Sequence, residues 1–217
     1  MMNELNMIQR IAVWILPVIF AITVHEVAHG WVAKKYGDNT ASMLGRLTLN
    51  PIKHIDWLGT IIIPGLLLLT FTGFIFGWAK PVPVDARNFT NPKHDMAVVA
   101  LAGPVSNLIM AISWALLARL GIAIDIAYVT MPLIYMGVAG ISINLVLMLI
   151  NLLPIPPLDG SRVLTGFLPN KLAYNYNKLE RYGFIILILL LSTGVLNKIL
   201  GYPMFVVQKL FFAIAGL

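Results

Sequence analysis

His25-Glu26-Val27-Ala28-His29 is the densest run of chemically capable side chains in this sequence. On a helix, positions i and i+4 share a face, so both imidazoles can reach one zinc ion. Glu26 stands beside them, placed to take a proton from a water on that metal. The run lies inside an apolar stretch, where three ionisable groups in one turn need a strong compensating interaction. Two histidines and a glutamate hydrogen-bonded among helices, with a purely structural role, are the plainer alternative.

Two histidines leave a tetrahedral zinc short of a third protein ligand, with the fourth position open for water. The chain has no cysteine, so the candidates are His54, His94 and the few carboxylates. Asp159 is the best placed, because it follows the proline run Pro154-Ile155-Pro156-Pro157 and precedes Gly160, which frees the backbone. The alternative for Asp159 is the cap of a helix starting at Ser161. Asp56, Asp85, Asp95 and Asp125 lie in flanking loops, where a solvated charge needs no special explanation.

The elements that must position these residues are membrane elements. Of 217 residues, 59% are hydrophobic and 11% charged, against about 25% charged in soluble domains. Five apolar segments approach the roughly 20 residues that cross a bilayer core. They cover about 11–36, 57–78, 96–124, 128–153 and 182–200; a shorter piece, 203–217, could lie in the interface or cross. The expected fold is an all-α polytopic membrane bundle forming one domain over 1–217, with a catalytic core of about 10–165 and accessory helices over 166–217. The first apolar run has no small-residue cleavage site after it and is expected to be retained. The net charge of +6 comes without a basic cluster interleaved with aromatics, so no nucleic-acid partner is expected.

Beside His25-Glu26-x-x-His29 stand two further patterns. They are Ala102-Gly103-Pro104-x-x-Asn107 and Asn151-x-x-Pro154-x-Pro156-x-Leu158-Asp159-Gly160. Together, in this order and over about residues 10–165, they resemble the three signatures of the site-2 protease family. The resemblance implies an intramembrane zinc metalloprotease that cuts transmembrane segments or remnant signal peptides. It implies one zinc per chain held by His25, His29 and Asp159, with Glu26 as general base and acid. Asn107 and Asn151 would steady the substrate backbone or the oxyanion. The partners implied are a substrate transmembrane segment and the lipid bilayer. Many members carry a PDZ or CBS domain, for which this sequence has no room.

One metal centre requires the end of the first segment, the start of the third and the end of the fourth to meet. The 57–78 segment should therefore enter and return, bending near Pro64-Gly65. On that topology 11 of the 15 Lys and Arg face the side of the site, whereas five full crossings divide them 8 to 7. The positive-inside bias then sets the site near the cytoplasmic face of a prokaryotic plasma membrane, with the N-terminus outside. Residues 79–84 (Ala-Lys-Pro-Val-Pro-Val) should be extended; the edge carrying the Lys80, Val82 and Val84 N–H groups could clamp an unwound substrate, or the prolines could simply block an edge against aggregation. A divalent-metal transporter and a catalytically silent binder of membrane segments are the rival functions. Only the protease gives a reason for Glu26 directly beside the first histidine.

Overall fold

The computed structural model describes residues 5–69 and 77–217. Its α-helices are α1 (Met7–Lys35), α2 (Thr40–Met43), α3 (Ile63–Leu69), α4 (Pro92–Ile124), α5 (Ala127–Asn151), α6 (Asp159–Phe167), α7 (Asn170–Asn177), α8 (Glu180–Ser192) and α9 (Val195–Ala215). A π-helical turn, Trp57–Ile62, leads into α3. No strand occurs among the described residues. Among the described residues, four helices, α1, α4, α5 and α9, are long and apolar enough to cross a membrane. The chain is an all-α polytopic membrane protein, as the composition requires.

In lipid, helices gain little from hiding apolar surface and associate through close packing, which favours small residues at the seam. The α4–α5 seam follows this rule. A Cβ on Gly137 would lie 2.5 Å from Ala118 Cβ, and one on Gly140 would lie 2.6 Å from Trp114 Cδ1. Ala111, Trp114, Ala115, Ala118, Ile141, Leu145 and Met148 form the buried core there, closed by Phe211 and Ala215 of α9. α1 packs across α4 and α5 on its own side.

The 57–78 segment returns to where it starts. Trp78 N–H donates to Gly59 O at 3.1 Å, and Thr60 Oγ1 donates to Trp78 O at 2.8 Å. Gly59 lies directly beneath the Trp78 indole, where no Cβ would fit. A full crossing would part these ends by about 30 Å. The expected bend at Pro64-Gly65 is corrected. Both residues stand within α3, which continues directly from the π-helical Trp57–Ile62. The point of return lies outside the described residues.

The C-terminal third also departs from expectation. The 182–200 run is broken at Gly194, whose φ of +71° ends α8 after 13 residues. The left-handed glycine lets Thr193 and Gly194 N–H reach Leu189 O and Leu191 O. The piece 203–217, left open between interface and crossing, forms the body of α9, 21 residues long with Pro203 inside it. Arg119 Nη1 donates to Ile214 O at 3.3 Å, so the C-terminal ends of α4 and α9 lie together. Lys198, in the first turn of α9, therefore sits at the opposite end of the bundle, which moves it to the site's side of the charge tally. α8 lies against two other elements. A Cβ on its Gly183 would stand 2.5 Å from Pro156 C, and Phe184 meets the Trp78 ring edge-on at 5.3 Å.

Candidate metal centre

The motif folds as its spacing demands. His25 and His29 lie one turn apart on the buried side of α1, their rings at 84° with centroids 4.7 Å apart. Asp159 opens α6, whose N-cap is Leu158, and its side chain makes no cap. Its Oδ2 instead lies 3.2 Å from His25 Nε2 and 3.3 Å from His29 Nε2. The backbone that carries it is pressed onto the end of α5, since a Cβ at Gly160 would meet Leu153 O at 2.5 Å. Among the described residues, these three are the group that could hold a metal ion.

Hydrogen bonds behind the ligands decide which nitrogens face forward. His29 Nδ1 lies 2.8 Å from Val99 O, a carbonyl that can only accept, so Nδ1 carries the proton. His25 Nδ1 lies 2.6 Å from Asn107 Oδ1. The Asn107 amide nitrogen donates to Ala21 O at 3.2 Å and to Asn144 Oδ1 at 2.9 Å, which fixes Oδ1 as the acceptor. Asn144 in turn donates to Gly140 O at 2.8 Å. In its neutral form each imidazole then points an Nε2 lone pair at the other, 3.0 Å apart, and at Asp159 Oδ2, which is buried without a hydrogen-bond partner.

Three lone pairs converging in a buried space repel unless a cation joins them. Two imidazole nitrogens and one carboxylate oxygen, with a further position open, form a donor set suited to zinc. Gly103 of α4 keeps the space clear, since a Cβ there would lie 2.5 Å from His25 Cε1 and 2.6 Å from His25 Nε2. The residues present therefore fit the metal. Imidazole ligands held by a second hydrogen bond are the usual condition for fixed orientation and basicity.

Glu26, on α1 beside His25, is tied to the 79–84 stretch. Val82 N–H donates to Glu26 Oε2 at 2.7 Å. That stretch is non-helical, as its prolines require, but its proposed donor edge is engaged, because Lys80 N–H also pairs with His54 O at 2.9 Å. Asn107, expected to face a substrate, is fully buried behind His25 with both amide hydrogens committed. Asn151 turns its amide to Leu147 O at 3.0 Å in its own helix and does not join the cluster.

The remaining candidates take ordinary structural places. His54 is buried and bonded to Thr48 O, His94 pairs with Asp95, and Asp56 caps the 57–62 turn at Gly59 N–H. Asp85 holds Arg87 in a bidentate pair, and Asp125 sits in left-handed backbone after α4. Sequence reasoning missed Arg46 and Asp38, and it placed Asn144 nowhere near the metal centre. A lone Asn within an apolar helix is the signal that points to Asn144.

A Bacillus subtilis protein named "Putative zinc metalloprotease YwhC" is 42% identical over 194 residues, covering 88% of this chain and 84% of its own length. The chain belongs to the site-2 protease family. A second relative of this site-2 protease, "Putative zinc metalloprotease Rip2" of Mycolicibacterium smegmatis, is 30% identical over 87% of the chain and 68% of its own length. A third, "Putative zinc metalloprotease MJ0611" of Methanocaldococcus jannaschii, is 30% identical over 64% of the chain and 62% of its own length. No family model and no solved structure matches the chain.

Proposed function

We propose that this site-2 protease is a zinc-dependent endopeptidase that hydrolyses transmembrane segments, including remnant signal peptides, at the His25–His29–Asp159 centre. The observation that carries the reading is the convergence of two imidazole lone pairs and a buried carboxylate oxygen within 3.3 Å, next to Glu26. Zinc held there supplies Lewis acidity to the attacking water and to the scissile carbonyl. Glu26 takes the water proton on a carboxylate oxygen and returns it to the leaving nitrogen. Asn107 holds His25 in one tautomer. Asn151 keeps its Oδ1 and one amide hydrogen for the substrate backbone. A helical substrate hides its carbonyls in i to i+4 bonds and must unwind before it is cut.

The site lies near the cytoplasmic face in this reading, with both chain ends outside. Support comes from the four candidate spans, the returning 57–78 segment and the concentration of Lys and Arg at the site's end of the bundle. The chain acts as one membrane domain, with about 10–165 carrying the chemistry and 166–217 packing onto it through Phe211 and Ala215. The test uses purified protein with zinc, a fluorogenic transmembrane peptide and a Glu26→Gln variant. Cleavage by the wild type, lost in the variant while about one zinc stays bound, is the expected outcome. Metal-dependent flux without cleavage would make it a transporter; neither activity would make it a silent binder.

A further inference from the structure

Arg46 follows the left-handed Gly45 (φ +62°) and is 9% exposed. It has no carboxylate partner among the described residues, and a buried cation without one is costly. Its Nη2 donates instead to two backbone carbonyls, Lys80 O at 2.9 Å and Pro81 O at 3.3 Å. The second of these belongs to the same peptide unit whose N–H, on Val82, donates to Glu26 Oε2 at 2.7 Å. One amide group therefore stands between a guanidinium and a carboxylate. Charge at both ends polarises that amide and strengthens both of its hydrogen bonds.

The peptide is also held sterically. Pro81 fixes its own φ, and Pro83 restricts Val82 to extended backbone, so the amide plane has little freedom. Val82 is 7% exposed and rests on α1 at Gly30, where a Cβ would come within 2.7 Å of Val82 Cγ1. The helix that carries Glu26 thus also carries, one turn on, the glycine that lets Val82 approach it. With Oε2 anchored, Oε1 has no protein hydrogen bond among the described residues and is the oxygen left for proton transfer.

We propose that Arg46 is a positioning residue for Glu26, acting through the Pro81–Val82 peptide. The segment 80–82 then serves as a strap that orients the base, a role separate from clamping substrate. The inference rests on the peptidase reading above. A Val82→Pro change cannot separate strap from clamp, because it removes the donor that either one needs. Arg46 can, because it touches neither the metal ligands nor the N–H groups of the segment, only its carbonyls.

The experiment compares full-length wild type, Arg46→Gln and Arg46→Lys, zinc-loaded in detergent, on a fluorogenic transmembrane peptide. In Arg46→Gln, kcat should fall about tenfold or more while KM stays within about twofold and zinc remains near one equivalent. Arg46→Lys should recover part of kcat. Unchanged kcat, a raised KM with kcat held, or loss of zinc in step with activity would each overturn the proposal. A second readout applies whether or not Arg46→Gln folds. In 15N-valine protein, with Val82 assigned through Val82→Ile, its amide proton should move upfield in both Glu26→Gln and Arg46→Lys. A stationary resonance would overturn the linkage. Failure of the wild type to cleave would defeat the peptidase reading alone, since the Val82 resonance still reports on Arg46 and Glu26.

Discussion

Asn107 Oδ1 stands 2.6 Å from His25 Nδ1 and so determines which nitrogen of that imidazole faces Asp159. The expectation that Asn107 meets the substrate placed it on the wrong side of its histidine. Its contribution is to the ligand. Asn107→Ala should leave a buried His25 N–H without an acceptor and release the tautomer. Zinc affinity should fall by about ten- to a hundredfold, measured by competition with a chelator. Asn144→Leu, one bond further back, should have a smaller effect of the same sign.

Gly103 offers a second check on the same centre. Alanine is the better helix former by about 0.5–1 kcal/mol, so the substitution should leave helicity by circular dichroism intact. The added Cβ would meet both imidazoles, and zinc stoichiometry should drop well below one. Retention of full zinc by Gly103→Ala would mean that the rings have more room than the geometry gives them.

Asp38 predicts a pH dependence away from the metal. It is fully buried just past α1 and accepts from Thr40 N–H and Oγ1, Asp85 N–H and Asn88 Nδ2. Burial pushes its carboxyl up, but these donors outweigh burial and hold it below the ordinary 3.8. A depressed value means that the stabilisation is complete above the ordinary value and is lost as pH falls through the folded one. Melting temperature should therefore drop more steeply in acid for wild type than for Asp38→Asn. At neutral pH, Asp38→Ala should cost roughly 2–3 kcal/mol, because several donors lose their acceptor.

Topology is tested by reporters. Fusions near Lys53 and near Arg87 should both score cytoplasmic, because the segment between them returns at Trp78. A fusion after Leu217 should score outside, because the C-terminal ends of α4 and α9 meet through Arg119. Opposite results at Lys53 and Arg87 would rule out the returning segment.

What could be read from the sequence was local or rare. The i, i+4 histidines need only a helix, and Asp159 stands out because carboxylates are few and the prolines before it end α5. The break at Gly194 was hidden, because Leu-rich sequence on both sides reads as one span and a single glycine is tolerated in membrane helices. Arg46 and Val82 were hidden for a different reason. A guanidinium on a backbone carbonyl and a backbone N–H on a carboxylate leave no residue pattern, since any residue but proline supplies the amide. Asn107 was visible as a polar residue in an apolar helix, but its direction was set by Ala21 and Asn144, which only packing brings near.

The two neighbours of α8 have a consequence for control. Gly183 lies against Pro156, in the loop that presents Asp159, and Phe184 lies against Trp78, where the 57–78 segment comes back. Thirteen residues of helix thus bear on both the carboxylate arm of the metal centre and the root of the returning segment. Trp78 and Pro156, three residues before Asp159, are thus held by two adjacent residues of one helix, so the position of each depends on that of the other.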